Sequence, residues 1–132
     1  MKYMRSGTKS NTFYTEEATR SILTNVLTDL IMQINNTRYL LHKFPLPLKC
    51  GLLQWLWSEP DKDGHPAHIL LLNFPGGFEL CAKFCYNITI NLSAHNFIQA
   101  MATAMHLRMT ELVSRGSLLI KLEVFIQQMR RL

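Results

Sequence analysis

The chain has 132 residues, 48% of them hydrophobic and 17% charged, which points to one globular domain and excludes a disordered tail. Its formal net charge of +5, from 14 basic and 9 acidic side chains, is scattered and lacks the basic stripe with interleaved aromatics of a nucleic-acid surface. No apolar run approaches the ~18 residues that span a bilayer, and no apolar stretch precedes a cleavage site near the start, so a soluble, intracellular, cytoplasmic chain is expected. Three cysteines, an odd count, fit free thiols in a reducing compartment.

In chain order, residues 1–28 are rich in Ser, Thr and Asn and read as a mobile lead-in, with one weak helix around Glu16–Leu23. The domain proper is expected over 29–132. "DLIMQINNTRYLLHK" predicts a hairpin, because Leu30, Met32 and Ile34 alternate with Ile31 and Gln33, and Asn35-Asn36 tolerates positive φ at a tight turn. On the return strand, Tyr39 and Leu41 share one face and Leu40 and His42 the other. Pro45 and Pro47 then allow at most a short helical turn. "GLLQWLWSE" continues as helix with Leu52, Leu53, Leu56 and Trp57 on one face, until Pro60 stops it and "PDKDGHP" forms a polar loop. "AHILLLNF", a continuous apolar run, is expected to be a buried strand.

Past Gly76-Gly77, "FELCAKFCY" predicts a short helix that places Leu80, Cys81, Phe84 and Cys85 on one stripe, with Glu79 and Lys83 outside. "NITIN" is a brief strand. The next helix, "SAHNFIQAMATAMHLR", takes Ser93 as its N-cap and turns Phe97, Ile98, Met101, Ala104 and Met105 inward. A last helix opens at Thr110, aligns Leu118, Leu119, Leu122, Phe125, Ile126 and Met129, and is open to interruption at Gly116. Strands lead and helices crowd the second half, so the class is α+β.

The chemistry-bearing residues give no reaction centre. Cys81 and Cys85, one helical turn apart, are able to face one metal ion, but zinc takes four ligands and Cys50, His65 and His68 show no matching spacing. The alternative, that both thiols are core filling beside Leu80 and Phe84, is the preferred one. Gly76-Gly77 lacks the further glycines and the Lys-Ser/Thr of a phosphate loop and is read as a turn. His42, His95 and His106 are isolated, and Asp61 and Asp63 supply too few oxygens for calcium. Catalytic residues, metal ligands and cofactors are therefore expected to be none, and a chain of this kind acts by its surface.

Four stretches, "TFYTEEATRSI", "TDLIMQINNTRYLLHKFPL", "FPGGFELCAKFCYNITINLSAHN" and "HLRMTE…GSLLIKLEVFI", together resemble the BTB/POZ domain of the plant non-phototropic hypocotyl family, over nearly the whole chain. The resemblance implies a BTB/POZ fold: a small mixed β-sheet with a cluster of about five helices. It implies a substrate adaptor that holds the cullin scaffold of a ubiquitin ligase, possible service in plant signalling such as phototropism, and BTB self-association or pairing with related BTB proteins. By the same resemblance Trp57 and Glu59 of "WSE", with Tyr86 and Asn87 second, are the expected cullin contacts. The alternative for the first pair is that Trp57 caps the core and Glu59 is solvated. The sequence departs from the family where Phe78 follows "PGG" directly, at the second proline of "LPLKCG", and at the bulky Trp55 and Trp57. The family's long helical region is expected after the domain, whereas this sequence closes at "QQMRRL". The alternative function is therefore a truncated dimerising scaffold that regulates full-length relatives without ligase contact.

Overall fold

A computed structural model describes residues 3–17, 19–56 and 65–130. Among these the strands are β1 (Tyr3–Ser6), β2 (Phe13–Glu16), β3 (Thr19–Ile22), β4 (Leu30–Ile34), β5 (Thr37–Leu41), β6 (Ala67–Leu71) and β7 (Ile90–Ser93). The helices are α1 (Leu46–Lys49), α2 (Gly51–Leu56), α3 (Phe78–Cys85), α4 (Phe97–His106) and α5 (Leu118–Arg130). A five-stranded sheet runs in the order β2-β3-β5-β4-β6, and β1 and β7 form a separate antiparallel ribbon. The five-stranded sheet is mixed, because β3 lies parallel to β5 and β4 parallel to β6 while the other pairs are antiparallel. The α+β class with a small mixed sheet and five helices is thus the observed one.

The hairpin forms where the alternation placed it. Asn35 takes the left-handed conformation (φ 53°) that closes the β4–β5 turn, and Met32 pairs with Tyr39 across it. Leu30, Met32, Ile34, Tyr39 and Leu41 are buried on one face. His42, expected on the opposite face with Leu40, is also buried, because it lies past the end of β5 where strand alternation no longer sets direction. The Asn35 side chain has a further use: its amide donates to the Phe74 carbonyl (2.9 Å) and accepts the Phe74 N–H (2.9 Å), fastening the turn to the segment ahead of α3.

Several expectations are corrected. Glu16–Leu23 is not a helix: β2 and β3 pair antiparallel there, and β3 pairs parallel with β5. Thr15, Thr19 and Ile22 are β-branched and the segment has only two acidic residues and an arginine to support a helix, so pairing with an existing sheet wins. Residues 1–28 accordingly hold three strands, each hydrogen-bonded to another part of the chain or to its neighbour. β6 is buried on one face only. It lies in register with β4, whose buried Leu30 and Met32 pair with Ala67 and Ile69, so these two turn inward while His68, Leu70 and, after the strand, Leu72 face out.

The helix that follows β7 also differs. It starts at Phe97, and Ser93 ends β7, its hydroxyl accepting the His95 N–H (3.2 Å) while Asn96 Oδ1 accepts the Ser93 N–H (2.9 Å). Those bonds build a turn, not a cap. The inward stripe of α4 is Ala100, Thr103 and Ala104; Phe97 and Met101 are half-buried, and Ile98 and Met105 are 68% and 61% exposed. The small residues sit inside because α3 and α5 both press on α4, which leaves no room for Ile98 or Met105 on that side. Gly116 does interrupt the last helix: it takes φ 66°, residues 110–116 form turns, and α5 opens at Leu118 with the Ser117 hydroxyl accepting the Ile120 N–H (3.2 Å) as an N-cap. Leu118, Leu122 and Phe125 then seal the core. Among the described residues no helix is long and apolar enough to cross a membrane.

Candidate interaction surface

All three thiols are interior. Cys50, Cys81 and Cys85 are 1%, 0% and 2% exposed, and each is a free cysteine. Cys81 faces the Ala100 carbonyl of α4 (4.0 Å), and burial pushes its thiol well above the ordinary range. The Cys50 sulfur lies 3.7 Å from that of Cys85, a contact that with burial also raises the Cys50 thiol. A thiol held protonated in an apolar interior is a poor nucleophile and a poor metal ligand. Among the described residues no three His, Cys, Asp or Glu side chains are grouped to hold a metal ion. The Gly-Gly ahead of α3 is a packing device. Gly77 takes φ 106°, a Cβ there would stand 3.2 Å from both the Gln99 carbonyl and the Thr103 hydroxyl, and Thr103 Oγ1 donates to the Gly76 carbonyl at 2.6 Å. It brings α3 and α4 together.

Of the four residues assigned to partner contact, Trp57 and Glu59 lie outside the described residues. Tyr86 and Asn87 are adjacent at the corner between α3 and β7, as the sequence placed them. Tyr86 is half-buried and its hydroxyl is already engaged: it accepts the His42 N–H (3.0 Å) and lies 2.9 Å from His42 Nδ1. The second ring nitrogen, Nε2, is 3.0 Å from the Val26 carbonyl, which makes Nε2 the donor of that bond. Burial accordingly raises the phenol's pKa. Phe13 meets the Tyr86 ring edge-on at 6.3 Å. Asn87 is exposed, takes φ 58°, and anchors the N-terminal segment, its carbonyl accepting from Thr8 (3.1 Å) and Lys9 (2.9 Å) and its amide donating to Thr8 Oγ1 (2.9 Å). Periodicity within one element does not reveal the His42–Tyr86 pair, because its partners are 44 residues apart.

A second contact joins the early strands to the same helix. Arg20 on β3 grips Glu79 on α3 through two bonds of 2.7 and 2.8 Å, and Lys83 approaches the same carboxylate at 3.5 Å. Burial alone lifts the Glu79 carboxyl, but the Arg20 bond and the charges of Arg20 and Lys83 outweigh it and leave the pKa lowered.

Around α1 and α2 the surface is apolar. Phe44, Leu48 and Trp55 are 62%, 51% and 73% exposed, and Lys43, Phe44, Pro47, Leu48 and Gln54 line a cavity of about 230 Å³. Trp55 carries the Arg108 guanidinium over its ring at 6.0 Å. Phe44 and Leu48 were not singled out from the sequence; the usable signal was their position around two prolines, where a one-turn helix cannot bury every apolar side chain.

Comparison with known proteins adds a likeness in sequence. No family model matches the chain. Two BTB/POZ domain-containing proteins of Arabidopsis thaliana are 51% and 48% identical to it over 128 residues each, 95% of this chain. The phototropic-responsive NPH3 family protein NPY2 of the same plant is 39% identical over 130 residues, 96% of this chain. The chain is similar, along almost its whole length, to plant BTB/POZ domain-containing proteins. It spans 23%, 20% and 20% of the lengths of these three relatives, so it corresponds to one domain's share of each.

Proposed function

We propose that this BTB/POZ domain docks the cullin scaffold of a ubiquitin ligase, so that a substrate adaptor built on it delivers targets for ubiquitination in plant signalling, phototropism included. On this reading the chain has no catalytic role, works in the cytoplasm, and meets cullin through Trp57 and Glu59, with Tyr86 and Asn87 as second contacts. The observation that supports it is the 36–51% identity to BTB/POZ and NPH3-family proteins along 95% or more of the chain. The burial of the three thiols adds to it by leaving partner docking as the use of the surface. A pull-down with a cullin N-terminal fragment tests it. The wild type is expected to retain cullin and the Trp57→Ala/Glu59→Ala double variant to lose it. Undiminished binding by a folded double variant removes the site, and absent binding by the folded wild type removes the function.

A second reading, self-association into a scaffold that regulates related BTB proteins without ligase contact, is favoured by the apolar exposure of Phe44, Leu48 and Trp55. Sedimentation showing a dimer with no cullin affinity supports this reading over the first.

A further inference from the structure

Cys50 is the single residue between α1 and α2, held in extended backbone (φ −124°, ψ 106°), and Cys85 is the last residue of α3. Their sulfurs are in contact at 3.7 Å although 35 residues separate them. Both are enclosed by the core, so neither has an outside partner to choose. Cys81 does not compete for this position: its thiol points to the Ala100 carbonyl on the α4 side of α3. Both ends of the pair adjoin the candidate surface, because α1 and α2 carry Leu48 and Trp55 while Cys85 leads directly into Tyr86 and Asn87.

We propose that Cys50 and Cys85 form a latent disulfide, a redox-responsive clasp that locks the α1–α2 joint onto the end of α3. The oxidant is of the peroxide class. One cysteine, as thiolate, attacks a peroxide oxygen; the O–O bond breaks, a sulfenic acid forms, and the released oxygen leaves as water after taking a proton. The second thiol loses its proton, its sulfur attacks the sulfenic sulfur, and the hydroxyl departs as a second water. Two thiols and one peroxide thus become one disulfide and two waters. Because both sulfurs are enclosed by the core and the contact with burial raises the Cys50 thiol, oxidation proceeds through opening of the α1–α2 joint and is slow in the closed fold. The clasp stands on the packing of these two residues and does not depend on which partner the domain binds.

The test treats the folded full chain with hydrogen peroxide, alkylates exposed thiols, unfolds it, alkylates again with a distinguishable label, and maps the peptides by mass. The expected product is a Cys50–Cys85 peptide pair lighter by two hydrogens, reversed by dithiothreitol, with Cys81 labelled only after unfolding. Cys81→Ala retains the cross-link and Cys85→Ala loses it. On oxidation, hydrogen exchange slows at the Gly51 and Leu52 amides, which bond to the Arg108 and Leu107 carbonyls at the start of α2. A cross-link through Cys81, sulfinic acid at Cys50 or Cys85 without a cross-link, or no reaction overturns the proposal. Wild-type mapping and Cys81→Ala decide it even where Cys85→Ala fails to fold.

Discussion

The Tyr86 hydroxyl accepts the His42 backbone N–H and also bonds the His42 ring, and it does so in a half-buried position where water replaces neither bond easily. Tyr86→Phe is therefore expected to destabilise the fold by about 1–3 kcal/mol, the cost of leaving buried polar groups unpaired, as read by urea denaturation. If stability is unchanged, the pair is not structural. Raised ionisation constants carry a pH signature. Cys50, Cys81 and Tyr86 all hold their protons more tightly in the folded chain than at the ordinary values of 9.0 for thiols and 10.0 for phenol. The folded state then binds more protons than the unfolded one at alkaline pH, so their contribution is full below about 9 and is lost as pH climbs beyond it. Glu79 has the opposite sign. Its pKa is lowered from 4.5, so its contribution is present above that value and is lost as pH falls through the folded pKa. Denaturation followed from pH 3 to 7 is expected to show this acid loss in the wild type and a flatter profile in Glu79→Gln. Identical profiles would remove the Arg20–Glu79 grip from the account.

At the scale of elements, α3 and α4 are held close by glycine and alanine. Gly77→Ala puts a Cβ on a left-handed residue against the Gln99 carbonyl, and is expected to cost about 1–2 kcal/mol or more. Ala104→Leu is expected to cost about 1–3 kcal/mol by overpacking, while Ile98→Lys on the same helix stays within about 0.5 kcal/mol. Thermal or chemical denaturation of the three variants checks that order, and a large loss at Ile98 instead would restore the stripe first expected from the sequence. The hairpin, α3 and the break at Gly116 were legible because period-two alternation, a four-residue stripe and one glycine act locally. What misled was context. Ile98 and Met105 are more apolar than Ala100 and Thr103, so the helical period pointed to them, yet only the space between α3 and α5 decides which face goes in. β6 looked wholly buried by composition, but which of its faces turns inward is set by its register with β4, which hydropathy does not encode. Strands β2 and β3 were missed because β3 extends along β5, which is remote in sequence, and β2 in turn pairs with β3. In the candidate surface, the burial of Cys81 and Cys85 was legible from their stripe, whereas the Cys50–Cys85 and His42–Tyr86 contacts depend on long-range packing.

At the scale of the molecule, helices pack on the mixed sheet, and all three thiols lie in the interior, Cys81 and Cys85 on α3 and Cys50 at the joint between α1 and α2. The proposed docking of a cullin scaffold needs a rigid frame and a presented surface, and both the Arg20–Glu79 and the Asn35–Phe74 ties supply the frame. The most direct measurement is size-exclusion chromatography of the folded chain with and without a cullin N-terminal fragment. Co-elution of the two in an earlier, stoichiometric peak is the predicted result; separate elution of both, with the chain still folded by circular dichroism, would contradict the docking account.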